Sequence, residues 1–219
     1  MIPLRALLLR NSTPVMTLAL IAVNTFCFLY EMAMPPYFRN AFIERYALVP
    51  DHLYLPAFLT SMFLHGGWLH LIGNMWFLWV FGSHIEDAMG SGRFLIFYLI
   101  SGVASAVVQF VTSIGSPVPT VGASGAIAGV MGAFLILYPR VRVVTLIFIV
   151  IFVTTYDLPA ALMLIYWFLL QLLSGLGSLA SVSQAQSIAW FAHVGGFLAG
   201  IALVRLFIGN RRRYRYYSS

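Results

Sequence analysis

Gly122-Ala123-Ser124-Gly125-Ala126-Ile127-Ala128-Gly129-Val130-Met131-Gly132 is a run of small and apolar residues with one hydroxyl near its start. It stays apolar to Pro139, so it reads as a helix opening at Ser124, built for close contact with another helix. A serine in such a helix by default bonds its own preceding turn or packs an interface. Two features argue for more. The flanking glycines, Gly122 and Gly125, leave the hydroxyl unshielded. At a helix N-terminus the Ser124 backbone N–H also lacks an intrahelical acceptor and is free to face a developing oxyanion.

The surroundings of this helix decide its solvent. The 219 residues are 61% hydrophobic and 8% charged, with a mean hydropathy of +0.93. Soluble chains carry roughly 25% charged residues, so lipid is the expected solvent. Apolar runs approaching the roughly 20 residues needed to cross a bilayer core occur at Pro14–Glu31, Trp68–Glu86, Phe94–Ser113, Ser124–Pro139, Pro159–Gly177 and Ala189–Ile208. The first reads as a span and not as a cleaved signal, since no convincing small-residue cleavage site follows it. Val143–Val153 is also apolar, but about 11 residues reach only some 16 Å as a helix. It is expected to be buried or interfacial, with a loop held against the bundle as one option and its conformation left open. The single cysteine, Cys27, falls inside the first span and offers no disulfide or cysteine metal site.

All twelve cations are arginines, giving a net charge of +6. They cluster at span ends: Arg5 and Arg10 before the first, Arg140 and Arg142 after the fourth, Arg211, Arg212, Arg213 and Arg215 after the sixth. No basic stripe interleaves with exposed aromatics, which argues against nucleic acid. The 112–123 and 178–188 connections carry no charge. The positive-inside rule therefore places both termini in the cytoplasm, with a balanced outer loop over about 32–67. Residues 1–13 form a cytoplasmic N-terminal segment, 14–208 the membrane domain and 209–219 a basic cytoplasmic tail.

Ser124 lies 16 residues before Arg140, His70 the same distance before Glu86, and His193 18 residues before Arg211. At about 1.5 Å per residue, all three rise roughly 24–27 Å from the inner face, just below the outer surface. An ionisable residue inside a span is functional by default. His193 is the general base that an unactivated hydroxyl needs. The plainer alternative is a neutral imidazole bonded to a backbone carbonyl. Gly196 and Gly200 share its helix face and suit close approach to a neighbour, and if that neighbour is the helix of Gly125 and Gly129, His193 comes within reach of Ser124. His70 and Asn74, four apart and on one face, are either an interhelical polar contact or an oxyanion site completed by the Ser124 amide.

His65, before the helix-breaking Gly66-Gly67, suits a structural hydrogen bond. The His65–His70 spacing places the rings on different faces and no glutamate intervenes, so no metal and no cofactor are expected. His84, Glu86 and Asp87 suit a short turn at the inner end of the second span.

These residues together resemble the rhomboid family of intramembrane serine proteases. The motifs are His65-x4-His70-x3-Asn74, Gly122-Ala123-Ser124-Gly125 and His193-x2-Gly196-x3-Gly200, with a Gly82-x3-Glu86-x3-Gly90 turn. The resemblance spans about Pro14 to Phe207. It implies an all-α, six-transmembrane-helix rhomboid-like bundle and a Ser124–His193 dyad. It also implies an oxyanion site of His70, Asn74 and the Ser124 backbone amide, and cleavage of transmembrane protein substrates near their extracytoplasmic ends. The lipid bilayer and such substrates are the expected partners, in a bacterial or archaeal plasma membrane.

Two positions depart from the family pattern. Pro56-Ala57 stand where many rhomboids carry Trp-Arg. Ala128 stands where some stack a tyrosine on the histidine, so another contact must orient His193. No carboxylate is expected to complete a triad: Glu86, Asp87 and Asp157 fall on or near the inner side, and Glu31, Glu44 and Asp51 sit at or beyond the outer end of the first span. His193 is then expected to be oriented by backbone or packing contacts.

Other classes fit less well. A non-catalytic rhomboid-like protein would bind membrane clients, but such relatives usually lack the serine or the histidine. A transporter is expected to show internal repeats or carboxylates at mid-bilayer, and all six acids here lie near span ends or in loops.

Overall fold

The computed structural model describes residues 1–149, 152–180 and 189–208. The expected basic tail, 209–219, lies outside the described residues, as does most of the 178–188 connection. In chain order the elements are β1 (Ile2–Ala6), α1 (Val15–Ala33), α2 (Pro36–Tyr46) and α3 (Ala57–Thr60), which runs on into a tight turn at Ser61–Phe63. Next come α4 (Trp68–Phe77), a π-helical turn (Leu78–Gly82), α5 (Ser83–Met89), α6 (Ser91–Thr112) and α7 (Ser124–Leu137). The strands β2 (Arg142–Ile149) and β3 (Phe152–Pro159) follow, then α8 (Ala160–Ala180) and α9 (Trp190–Phe207).

All six apolar runs are helical. Among the described residues, four helical stretches are long and apolar enough to cross a membrane: Val15–Ala33, Ser91–Thr112, Ala160–Ser178 and Trp190–Phe207. The second run is one continuous helix only in outline, because the π turn interrupts it between α4 and α5. The outer flanks of α1, α6 and α8 present apolar side chains such as Phe26, Val111 and Leu173, as lipid-facing helices do. Cys27 is half-buried rather than enclosed.

The all-α expectation is corrected by a three-stranded antiparallel sheet in the order β1-β2-β3. The conformation left open for the Val143–Val153 run is extended in its described residues, 143–149 and 152–153. These residues lie in the antiparallel pair β2 and β3, in which Val143 pairs with Leu158 and Ile149 with Phe152, with β1 pairing along the other edge of β2. Branched side chains favour the extended backbone, and the chain folds back on itself instead of crossing. Val143 and Thr145 are fully buried.

Helix α7 is central. Every residue from Gly125 to Phe134 is buried, as befits a helix apolar on all sides. It lies directly on α9, with α6 against both. At the opposite end from Ser124, two buried carboxylates of α5 hold α1 and the segment that leads into it. The Met16 and Thr17 N–H groups donate to Glu86 at 2.8 and 2.7 Å, and the Thr17 and Ser91 hydroxyls donate at 2.7 and 2.6 Å. Asp87 accepts from the Asn11 amide N–H at 3.1 Å and from the Ser12 hydroxyl. The first amides of a helix have no acceptor of their own and carry partial positive charge. A carboxylate from another helix therefore caps α1, so Glu86 is an interhelical clamp and Asp87 fastens the segment before α1, and neither is only a turn residue.

Candidate active site

Ser124 is the first residue of α7, where the chain turns abruptly into the helix. The turn depends on Gly122, whose φ of +122° suits glycine. A Cβ there would also lie 2.6 Å from His70 Nε2 and 3.5 Å from Asn74 Nδ2. The Gly122 N–H donates to the Ser61 carbonyl at 2.9 Å. The α7 N-terminus is thus wedged between α4 and the Ser61 turn, and His70 and Asn74 converge on the backbone just before Ser124.

His193 comes from the first turn of α9. Its Nε2 lies 2.8 Å from Ser124 Oγ, and its Nδ1 lies 2.7 Å from Gln171 Oε1 on α8. The four glycines read from the sequence meet beneath this pair. A Cβ on Gly196 would collide with the Gly125 carbonyl and one on Gly200 with the Gly129 carbonyl, while Gly125 and Gly129 also face Ser105 and Ser101 of α6. Backbone contact between α7 and α9 brings the hydroxyl and the imidazole to hydrogen-bond distance. The arrangement can pass a proton from a serine hydroxyl to a neutral imidazole.

Expected orientation of His193 by backbone or packing alone is corrected: a side-chain amide bonds it. Ala128 offers no ring, and the aromatic neighbours come from elsewhere. Trp167 has its ring centroid 5.8 Å from the imidazole and Trp190 6.4 Å. Among the described residues the ring partners of His193 are Gln171 and Ser124, not a carboxylate. Glu31 is buried at the end of α1 beside the His65 backbone N–H.

Asn74 Nδ2 lies 3.1 Å from His65 Nε2. Burial holds the His65 imidazole down at about 4, with His70 acting in the same direction. A neutral ring then accepts the Asn74 N–H at Nε2, and the amide is oriented by a fixed neighbour. His65 and His70 stand edge to face at 5.2 Å. Among the described residues no three His, Cys, Asp or Glu side chains gather as a metal-ligand set.

Sequence reasoning missed Gln171 and two residues of α6. Ser105 donates to the Ala192 carbonyl at 2.7 Å, and Gln109 accepts the Ala192 N–H at 3.1 Å. Together they hold the first turn of α9 immediately before His193. The available signal was polarity: an amide or hydroxyl in an apolar helix faces protein, not lipid. The partner, however, lies on another helix.

A cavity of about 1060 Å³ opens beside the pair, lined by Ser124, His193, His70, Asn74, Trp167 and the 118–121 segment among others. The outer loop is anchored without a Trp-Arg pair. Thr60 donates to the Tyr46 carbonyl at 2.8 Å, and the Arg45 guanidinium sits 4.1 Å over the Tyr54 ring.

The Rhomboid domain family matches residues 53–210. Over 77 residues, 35% of this chain and 15% of the relative, the chain is 47% identical to the rhomboid protease GluP of Bacillus subtilis. It is 32% identical over 145 residues to RHOMBOID-like protein 6, mitochondrial, of Arabidopsis thaliana, covering 66% of this chain and 41% of that one. It is 33% identical over 139 residues to the mitochondrial presenilin-associated rhomboid-like protein of Bos taurus, covering 62% and 36%. The matches thus span less than half the length of these relatives. Their sources include a bacterium and eukaryotic organelles, so they do not single out a bacterial or archaeal membrane.

Proposed function

The chain belongs to the rhomboid family of membrane proteins, and from that membership and the geometry at Ser124 we propose that it is an intramembrane serine endopeptidase. The observation that carries the reading is the 2.8 Å approach of His193 Nε2 to Ser124 Oγ at the mouth of a helix. In this reading all six apolar runs span the bilayer. Helix α7 has 14 residues, about 21 Å of rise against a core of about 30 Å. Ser124 therefore starts below the surface. Non-helical backbone at that depth is tolerated where it lines a cavity, and the 118–121 segment does so. The arginine distribution puts both termini in the cytoplasm and the active site toward the extracytoplasmic side.

His193 takes the Ser124 proton as the oxygen attacks the carbonyl carbon of a peptide bond, forming a tetrahedral oxyanion. His70, Asn74 and the Ser124 amide donate to that oxygen. The imidazolium then protonates the leaving amine, and the acyl group stays on Ser124. Water, deprotonated by His193, releases the acid and restores the hydroxyl. The substrates are single segments of transmembrane proteins, cut near their extracytoplasmic ends.

The test is cleavage of a single-span substrate by the purified protein in detergent, with the cut sequenced. Ser124→Ala and His193→Ala should each abolish cleavage in a folded protein, and the double variant should be no worse, as for residues acting as one unit. Robust cleavage by Ser124→Ala would end the serine-protease reading.

A further inference from the structure

Gln171 sits in the apolar stretch Phe168-Leu169-Leu170-Gln171-Leu172-Leu173 of α8 and is buried. A buried amide is costly unless hydrogen-bonded, so both ends of this one carry information. Its Nε2 donates to the Trp167 carbonyl at 3.4 Å, and its Oε1 lies 2.7 Å from His193 Nδ1. The Trp167 carbonyl can only accept. Turning the amide over would set two oxygens against each other, so the NH₂ group belongs at Trp167 and the oxygen faces the imidazole.

An acceptor at Nδ1 requires the proton there. A neutral imidazole carries one N–H, which leaves Nε2 with its lone pair toward the Ser124 hydroxyl. We infer that Gln171 is a positioning residue whose amide oxygen holds His193 in the tautomer able to take the Ser124 proton. The inference rests on the protease reading above and extends it to a third side chain, on a third helix. An amide serves here where a carboxylate is expensive, since it supplies the acceptor without a buried charge. When the imidazolium forms, the Nδ1–H···O bond gains charge assistance, so the contact strengthens as the reaction proceeds.

The docking of α8 does not depend on this bond. Phe168 stacks on Phe197 at 4.8 Å, Trp167 meets the same ring at 6.1 Å, and Gly175 faces Trp190 and Phe191. Removing the hydrogen bond while keeping the bulk should therefore spare the fold and expose the chemical role.

The experiment measures kcat and KM for wild type, Gln171→Leu and Gln171→Glu on one single-span substrate. Histidine ¹⁵N spectra of the wild type accompany the kinetics, with the His193 signals assigned through His193→Ala. Gln171→Leu should lose about 10–10² in kcat, less than the roughly 10⁴ that follows loss of a triad aspartate, with KM within about twofold. Gln171→Glu keeps an acceptor at the same reach but sets a second oxygen against the Trp167 carbonyl, so it should lose less kcat than Gln171→Leu without returning to wild type. The wild-type spectrum should place the neutral proton on Nδ1. A proton on Nε2 overturns the inference even if Gln171→Leu does not fold, and so does a Gln171→Leu enzyme with wild-type kcat. Failure of the protease reading would look different: wild type would neither cleave nor react at Ser124 with a phosphonate reagent.

Discussion

The carbonyl oxygen of Gly125 occupies the place that a Cβ on Gly196 would take, about one helical turn from the contact between Ser124 and His193. The same relation recurs between Gly129 and Gly200. Two helices that touch through their backbones leave no slack between a hydroxyl on one and an imidazole on the other. The distance between nucleophile and base is a property of glycine.

Gly196→Ala should push α9 away from α7, and a displacement near 1 Å at reacting groups costs on the order of 10² in rate. Cleavage should fall by at least about that factor, and overpacking should destabilise the protein by roughly 1–3 kcal/mol. Gly177→Ala is the control, because nothing lies within 4 Å of a Cβ there. Paired thermal melts and cleavage rates decide the matter: equal activity of the two variants would mean that the helices can part without separating the dyad.

Asn74 stands between the cavity and His65, with its amide nitrogen 3.1 Å from His65 Nε2. Oxyanion charge develops only in the transition state, so Asn74→Ala should lower kcat more than it raises KM. Loss of one donor typically costs about 10²–10³, and the remaining His70 and Ser124 donors should soften it here. His65→Leu keeps a similar bulk in this buried place but removes the acceptor that orients the amide. It should reproduce part of the Asn74→Ala loss in kcat. Full activity in that variant would reduce His65 to packing.

Glu86 accepts two backbone amides and two hydroxyls in a buried setting. Glu86→Ala should leave the Met16 and Thr17 amides unpaired, at about 1–3 kcal/mol for each buried donor, and lower the thermal midpoint. Glu86→Gln keeps one acceptor oxygen and should lose less. Because the carboxylate lies at the far end of the bundle from Ser124, turnover per folded molecule should stay near wild type. A specific loss of kcat would show that the clamp reaches the active site.

Legibility varied with the range of the contact. The helical runs could be read because composition is a local property, and four among the described residues have the length and hydropathy to cross a membrane. Ser124, His70 and His193 could be placed at one depth by counting residues to charged span ends, and the fold brings all three to one cavity. The β2–β3 pair could not be read, since Val143–Val153 lacks the polar alternation that marks a half-exposed strand. Gln171 carried only its polarity as a signal, and its partner could not be read for another reason. Its chemistry depends on α8 lying against the first turn of α9, and no spacing within α8 reveals that neighbour. The π turn at Leu78–Gly82 likewise leaves no residue signal, with no proline in its five positions.

The Glu86 clamp also orders the birth of the molecule. Met16 and Thr17 are synthesised some seventy residues before the carboxylate that receives their amides. Until Glu86 has emerged from the ribosome, the start of α1 must keep these groups at a wet boundary, because hydrocarbon offers them no acceptor. The first helix can therefore settle to its final position only with the α4–α5 helix as its companion. The hydrogen bonds that cap α1 are complete only once Glu86 has been made, far along the chain from the helix they finish.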